Sequence, residues 1–313
     1  MKRNSKTALI IVLIILVIGG GLIGLGIAKE INAPKITNTH NIDEEFHNFV
    51  LDSSTADIEF KISEDSLNKV VCVENEKHNH TVKVEDDVLY INEIKDRKWY
   101  DFFDFVLNLK ITIYLTNTDY GRLNIKSSTG SILIPDTFSF TSANLKLSTG
   151  NVNLGANFSQ DLTIELSTGN VNLNAVEATN ININGSTGNI NLDNVSASED
   201  IVVVNSTGNV NMTATTADNL DIKLSTGSTI LTDTIIQNSI TIKASTGNVR
   251  LDDSDADNLS IKTSTGYVKG TLLTSKVFDA SSNTGEINVP KTTTGGLCEV
   301  TTTTGNIEIQ IKE

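Results

Sequence analysis

Apolar and polar side chains alternate along much of the chain after residue 121, in short runs interrupted by glycines. In one such run, Leu162, Ile164 and Leu166 are separated by single polar residues. After the following Ser-Thr-Gly, Val171 and Leu173 alternate with asparagines. Alternation with a period of two is typical of a strand with one buried face. The run therefore predicts two short strands joined by a tight turn.

This pattern recurs at a fixed spacing. A Thr-Gly pair returns at ten positions, each 19 or 20 residues after the previous one, and a Ser or Asn precedes nine of them. A short fixed period indicates one structural unit stacked on copies of itself. Glycine tolerates the positive φ that a tight turn often needs, so we assign these glycines as structural turn residues. They are Gly130, Gly150, Gly169, Gly188, Gly208, Gly227, Gly247, Gly266, Gly285 and Gly305.

Aligned on the glycine, the copies place apolar residues two and four positions after it and five positions before it. The repeats are rich in Thr, Asn, Val, Ile and Gly, which are poor helix formers. We therefore predict an all-β fold, a parallel β-solenoid of 19–20-residue coils over residues 121–313, with adjacent strands about 4.8 Å apart. The rule for parallel crossovers predicts a right-handed coil. Gly270 stands where a core leucine is expected, and we expect that coil to pack less well.

Polar columns accompany the apolar ones. Asparagine recurs one and three residues after the glycine, for example at Asn170 and Asn172. Stacked asparagines stabilise parallel strands through side-chain amide bonds. We expect amide ladders along the rod.

Residues 49–120 alternate less regularly, and we interpret them as irregular N-terminal β coils and a cap. Residues 54–58 read as a degenerate first repeat, with Ala56 in the glycine position. The segments 82–84 and 88–91 flank Glu85-Asp86-Asp87 and predict a hairpin. Five aromatic residues lie within 99–105. They fit a cover over the open apolar end of a solenoid, and a membrane-interface or ligand patch is the alternative.

The N-terminal segment has a different pattern from the repeats. Residues 8–28 contain no charge and are long enough to span a bilayer. Basic residues precede this segment, so the positive-inside rule places residues 1–7 in the cytoplasm. We predict a single-pass protein of the cell membrane, with a stalk at 29–48 and an extracellular C-terminal domain. The alternative is a cleaved signal peptide with Gly26 and Ala28 near the cleavage site, although the apolar run exceeds the usual length.

Charge narrows the range of partners. The chain has 24 basic and 38 acidic residues and a net charge of −14. Four of the basic residues lie at or before residue 29, so the remainder carries a net charge of −18. An acidic surface of this kind repels nucleic acid at long range, and we expect no nucleic-acid partner.

The sequence contains no motif typical of a catalytic, cofactor-binding or metal site, and we predict no cofactor. His78 and His80 can supply two metal ligands, which is too few for a site. The aspartates of 252–257 lack the spacing of a calcium loop. Cys72 and Cys298 fall at opposite ends of the predicted rod, beyond the reach of a disulfide.

Four features together resemble a known family. They are the basic-flanked N-terminal segment, Ile-Thr-Ile-Tyr-Leu at 111–115, Leu-Asn-Ile-Lys-Ser-Ser-Thr-Gly-Ser-Ile at 123–132, and the repeated Ser-Thr-Gly-Asn-Val-Asn-Leu. Over residues 45–313 the chain is similar to the bacterial β-strand-repeat family labelled "putative adhesin", a domain of unknown function common in Gram-positive envelopes. The resemblance implies a parallel β-solenoid and an envelope location, and it supplies no catalytic residues.

These observations favour a membrane-anchored, non-catalytic extracellular scaffold that binds an envelope protein or a surface ligand, held to the membrane by residues 8–28. One alternative is an accessory or sensor component of envelope-stress signalling, because some members of the resembling family are encoded beside stress regulators. Another is an enzyme acting on wall polysaccharides. It is disfavoured because the acidic residues scatter over the outer turns and do not converge on a groove.

Overall fold

The computed structural model describes residues 34–75, 78–94 and 109–312. No helix within these residues has the length and hydropathy needed to cross a membrane. The predicted cytoplasmic tail (1–7), the predicted transmembrane helix (8–28) and the aromatic window (99–105) lie outside the described residues.

The described residues form thirty strands. Those before the second Thr-Gly turn are β1 (Ile36–Ile42), β2 (Asn48–Ser53), β3 (Ala56–Ile62), β4 (Asn68–Glu74), β5 (His80–Glu85), β6 (Val88–Glu93), β7 (Leu109–Leu115), β8 (Asp119–Thr129), β9 (Ile132–Ile134) and β10 (Ser139–Thr149). Those of the middle coils are β11 (Val152–Leu154), β12 (Asn157–Phe158), β13 (Leu162–Thr168), β14 (Val171–Asn174), β15 (Glu177–Ala178), β16 (Ile181–Thr187), β17 (Ile190–Asp193), β18 (Ser196–Ala197), β19 (Asp200–Thr207) and β20 (Val210–Thr213). The rest are β21 (Thr216–Thr226), β22 (Thr229–Thr232), β23 (Ile235–Thr246), β24 (Val249–Asp252), β25 (Asn258–Thr265), β26 (Val268–Leu272), β27 (Lys276–Thr284), β28 (Ile287–Asn288), β29 (Gly296–Thr304) and β30 (Ile307–Ile311).

Two long parallel ladders run the length of the molecule, which confirms the predicted all-β parallel solenoid. We call them sheet A and sheet B. Sheet A has the order β1-β4-β7-β3-β9-β11-β14-β17-β20-β22-β24-β26-β30-β28. Sheet B has the order β27-β29-β25-β23-β21-β19-β16-β13-β10-β8-β2-β6-β5. In each Thr-Gly coil the strand before the turn belongs to sheet B and the strand after it to sheet A.

The register explains why the repeat folds this way. Val171 pairs with Val152 on one side and Ile190 on the other, and Leu173 is only 1% exposed between its equivalents. Because the register repeats in neighbouring coils, the alternating apolar residues of the two sheets face each other across one continuous core. At Gly270 an added Cβ would lie 2.8 Å from the Leu251 Cβ, so the neighbouring leucine already fills the space where a side chain was expected.

Each coil has a third side, formed by the segment that leads from its strand in sheet A to the next strand in sheet B. It contains the short strands β12, β15 and β18 together with the first residues of β10, β21 and β23. Near the N-terminal end this side is filled with aromatic rings, and Phe140 stacks on Phe158 with centroids 6.1 Å apart. Farther along, the equivalent interior positions carry the small residues Ala178, Ala197 and Ala217, and then the larger Ile236.

Two predictions for the N-terminal region are confirmed. Ile58 pairs with Ile132, which places Ala56 level with Gly130 as a degenerate first repeat. Strands β5 and β6 form the predicted antiparallel hairpin. The predicted stalk at 29–48 needs correction, because its residues Ile36–Ile42 form β1, hydrogen-bonded antiparallel to β4.

The coils at both ends are stacked out of chain order. At the N-terminal end β2 and β3 lie between the pair β6 and β7 and the pair β8 and β9. At the C-terminal end the last strands in sequence, β29 and β30, lie inside β27 and β28. The coil that contains Gly285 therefore forms the end of the rod, and its Ile287 is 44% exposed.

Candidate functional site

The ten predicted turn glycines lie in one column along a corner of the rod. Their φ angles fall between 130° and 159°, a region that L side chains rarely adopt. At Gly169 an added Cβ would lie 1.7 Å from the Gly150 carbonyl oxygen in the preceding coil. Backbone conformation and close stacking both require glycine, so the column is structural.

A second corner of the coil uses left-handed backbone without glycine. Five residues, each six positions after a turn glycine, have φ between 47° and 55°. They are Ala175, Asn194, Ala214, Asp233 and Asp253. Sequence analysis missed this corner, because alanine gives no signal for positive φ.

The outward face of sheet A carries an amide ladder. Asn172 donates to Asn153 at 2.8 Å, Asn191 donates to Asn172 at 2.8 Å and Asn211 donates to Asn191 at 2.9 Å. At the turn, the backbone N–H of Asn170 donates to the Asn151 side chain at 3.0 Å. The predicted amide ladder is therefore present in the column three residues after the glycine. The asparagines one residue after the glycine also link neighbouring coils, but through bonds from backbone N–H groups to side-chain oxygens.

The outward face of sheet B carries a row of cations, which we call the lysine row. It lies in the column four positions before the turn glycine and consists of two groups of exposed lysines, Lys126 with Lys146 and Lys223 with Lys243 and Lys262. Between the groups the column holds Glu165, Asn184 and Val204. Along the ladder Lys126 neighbours Lys146, while Lys243 lies between Lys223 and Lys262. Like charges on adjacent strands destabilise a sheet. An anionic partner would offset that repulsion.

Few acidic groups balance the lysine row. Lys146 pairs with Glu165 at 2.8 Å and Lys223 with Asp221 at 3.1 Å. In the part of the chain that the structure describes, Lys126, Lys243 and Lys262 have no ion-pair partner. Exposed acidic residues such as Asp193 and Glu199 lie instead in the segments that lead from sheet A back to sheet B. The outward face of sheet B also carries acidic residues, among them Asp52 beside Lys126 and Glu165 beside Lys146, so the lysines around Lys243 are the stretch with the least acidic neighbourhood.

Buried polar groups gather at the N-terminal end of the core, where β4 of sheet A approaches β5 of sheet B. We call Cys72, Glu74, His78, His80 and Glu93 the N-terminal polar cluster. His80 Nδ1 lies 3.0 Å from Glu74 Oε2, and His78 Nδ1 lies 2.7 Å from Glu93 Oε1. None of the five residues is more than 7% exposed.

The cluster holds its titratable groups away from their ordinary pKa values. Burial, with the nearby charge of Glu74, raises the pKa of the Cys72 thiol to about 12. Burial opposes ionisation of Glu93 as well, but hydrogen bonds from His78 and Ser54 outweigh it and lower the pKa of Glu93 to about 2. The thiol is therefore protonated and Glu93 ionised at neutral pH.

Sequence analysis identified His78 and His80 but judged two ligands too few for a metal. The structure brings Cys72 and Glu74 to His80, with one ligand atom from each of the three within 4.8 Å of the others. These partners come from β4, and alternation along that strand places Cys72 and Glu74 on one face. The missing information was the approach of β4 to β5, which belong to different sheets.

A second buried polar group lies near the C-terminal end. Lys276 Nζ lies 2.8 Å from Asp255 Oδ1, and both side chains are almost fully buried. Asp255 also accepts hydrogen bonds from the backbone N–H groups of Leu273 and Thr274 at 3.0 and 2.6 Å. This aspartate of the 252–257 segment is thus a structural anchor for the start of the last coils.

Both cysteines are free and buried, in agreement with the prediction that they form no disulfide. Burial raises the pKa of Cys298 to about 12, while the charge of Lys276 acts in the opposite direction. Neither thiol is activated as a nucleophile.

The ladders, corners and stacked core define a class, the parallel β-solenoid built from short Ser-Thr-Gly coils. Within that class the chain belongs to the Toastrack DUF4097 family, whose model matches residues 46–205 and again 197–313. No curated protein matches the chain.

Several solved structures are similar over most of their length. One is a "putative adhesin" from Bacteroides fragilis, 16% identical, with 89% of this chain and 98% of that chain covered and a TM-score of 0.36. Another is a "putative adhesin" from Parabacteroides distasonis, 13% identical, with the same coverage and a TM-score of 0.48. A third is a "putative cell adhesion protein" from Clostridium sporogenes, 11% identical, with 89% and 100% covered and a TM-score of 0.24.

Proposed function

We propose that this protein is a non-catalytic adhesion or protein-interaction scaffold at the bacterial cell envelope. The observation that carries the proposal is the lysine row, in which three exposed lysines, Lys223, Lys243 and Lys262, lie on three successive strands of sheet B. A fold that places like charges on adjacent strands loses stability by doing so. A binding role for that face accounts for the arrangement.

The partner we propose is an envelope protein that presents acidic groups to the lysine row. The rod as a whole is strongly acidic, which disfavours long polyanions at a distance. A local acidic patch on a protein can contact Lys223, Lys243 and Lys262, which lie on three successive strands. Complementary charges of this kind set orientation and association rate.

The test replaces Lys223, Lys243 and Lys262 with glutamate in the full-length protein and measures crosslinked partners in the producing cells. We expect at least about a tenfold loss of crosslinking, because three ionic contacts become repulsive. The matched control replaces Lys83, Lys269 and Lys312, which lie off the lysine row, and changes net charge equally. If both triple variants lose crosslinking equally, or neither does, the lysine row is not the contact surface.

The envelope location has its own test. Residues 8–28 and the basic residues before them support an anchored protein whose C-terminal domain is extracellular. Protease added to intact protoplasts is then expected to digest residues 30–313 and leave a small membrane fragment. Complete protection would reverse the orientation, and release of the intact domain into the medium would favour a cleaved signal peptide.

The proposal also states that the protein is not an enzyme. Its support is the burial and high pKa of both thiols and the structural use of Asp255 and the turn glycines. Incubation of the purified protein with wall glycans is expected to release no fragments. Turnover of such a substrate would overturn the non-catalytic part of the proposal.

A further inference from the structure

We propose that Cys72, Glu74 and His80 bind a transition metal ion, with Zn²⁺ as the preferred ion. The three side chains offer a sulfur, a carboxylate oxygen and a ring nitrogen, all within 4.8 Å of one another. Zn²⁺ bonds of about 2.3 Å to sulfur and about 2.0 Å to nitrogen or oxygen place tetrahedral ligands about 3.5 Å apart. The three donors lie within reach of that arrangement.

The donor set selects the kind of ion. A thiolate and an imidazole suit Zn²⁺ and exclude the hard ions Ca²⁺ and Mg²⁺, which take oxygen ligands. When the ion binds, the Cys72 thiol releases its proton to solvent, so that the sulfur–metal bond replaces the S–H bond. The resulting thiolate and the Glu74 carboxylate, with a neutral imidazole, balance the two positive charges of the ion. The resulting site is electrically neutral, which suits a place where Glu74 is 2% exposed and Cys72 fully buried.

Neighbouring groups hold the proposed ligands in place. Asn38 of β1 donates to Glu74 Oε1 at 2.6 Å, which orients the carboxylate. The backbone N–H of His80 donates to Glu74 Oε2 at 2.9 Å, and Ser53 Oγ lies 3.2 Å from His80 Nε2. Support of this kind around metal ligands typically changes affinity by about 10- to 100-fold.

The position of the site gives it a structural purpose. Cys72 and Glu74 belong to β4 of sheet A, and His80 belongs to β5 of sheet B. A bound ion would therefore tie the two sheets together at the end of the rod, where β4 and β5 run antiparallel to the strands they cover. This metal site does not depend on the binding role proposed for the lysine row.

Cys298 supplies the matched control. It is buried like Cys72 and has a pKa raised to the same degree, but the charged groups beside it are Lys276 and Asp255, and the lysine is a cation. Among the described residues, the grouping of three metal-ligating side chains contains Cys72 and not Cys298.

The test titrates the reduced full-length protein with Co²⁺ and follows the thiolate-to-cobalt charge-transfer absorption. We expect one equivalent to give the band, Zn²⁺ to displace it, and Ca²⁺ and Mg²⁺ to leave it unchanged. Zn²⁺ should also raise the unfolding temperature, because an ion that binds only the folded state stabilises it. Folded wild-type protein that shows neither the band nor the rise in unfolding temperature overturns the proposal.

Variants locate the site. Cys72→Ser should abolish the band and weaken Zn²⁺ binding by more than about 100-fold, whereas Cys298→Ser should keep both. Asn38→Ala leaves all three ligands in place and should weaken binding by about tenfold, so it remains informative if Cys72→Ser fails to fold. Retention of the band in folded Cys72→Ser, or its loss in folded Cys298→Ser, contradicts the assignment.

Discussion

At the scale of single residues, stability depends on side chains that repeat from coil to coil. Leu173 lies in an apolar column between Leu154 and Leu192, and all three are almost fully buried. Asn172 lies beside Leu173 on the opposite face of the same strand, where it takes part in two ladder bonds. The two residues therefore separate the contribution of the core from that of the outer ladder.

Leu173→Ala is expected to lower the free energy of unfolding by about 2–5 kcal/mol, as for other buried leucines. Asn172→Ala should cost less, because each lost hydrogen bond contributes about 1 kcal/mol. Thermal or denaturant unfolding of both variants measures the difference. Equal losses would mean that the amide ladder contributes as much to coil stacking as the apolar core does.

Gly169→Ala tests the glycine column. Holding alanine at the positive φ of Gly169 alone costs roughly 1–3 kcal/mol of stability. The contact between the new Cβ and the Gly150 carbonyl adds to this, so we expect severe destabilisation measured by urea unfolding. Gly185→Ala is the comparison variant, because Gly185 lacks the positive φ of the turn glycines and its Cβ would meet the Asn205 side chain rather than backbone, so a smaller loss is expected. A mild effect at Gly169 would show that the corner relaxes easily.

At the scale of elements, the strands follow from the sequence and the second corner does not. Alternation at Val171 and Leu173 predicts β14 because one buried face requires it. Ala175 and Ala214 adopt positive φ because the coil must turn there, and local sequence preference is overridden by the stacked neighbours. Asn194 occupies the equivalent position with a residue that tolerates this conformation.

Ala214→Asn is therefore expected to stabilise the protein by roughly 0.5–1 kcal/mol, because asparagine reduces the cost of the left-handed backbone. Differential scanning calorimetry should show a higher unfolding temperature. Ala217→Asn is the control and should destabilise, because Ala217 is buried. An unchanged or lower unfolding temperature for Ala214→Asn would mean that this corner stores no strain.

At the scale of the whole molecule, the rod and its ladders could be predicted, while the order of coils at its ends and the N-terminal polar cluster could not. The coils that contain Gly285 and Gly305 have nearly the same turn sequence. The repeat pattern therefore does not determine which of the two stacks on the coil of Gly266. Cys72, Glu74 and His80 meet because strands of different sheets approach at the rod end. Such contacts depend on tertiary packing that alternation does not encode.

Truncation after residue 295 tests the coil order. It removes β29 and β30, the strands on which β27 and β28 pair. Residues 276–288 are then expected to lose their hydrogen-exchange protection, while β23 and β24 keep theirs. The contacts of Asp255 with Leu273 and Thr274 hold the start of this segment in place. Continued protection of residues 276–288 would show that the coil of Gly285 moves inward and stacks on β25 and β26.

The out-of-order coils also bear on how such a rod changes length during evolution. At each end, later strands are inserted between two strands that precede them in the sequence, as β7 is between β3 and β4 and β30 is between β26 and β28. Adding or losing a terminal repeat would therefore disrupt that end. Duplication of a 19- or 20-residue unit within the sequentially stacked middle disturbs neither end. Each such duplication would lengthen the rod by about 4.8 Å and add one position to the lysine row. Relatives of different length should therefore differ in their central coils and share their two ends.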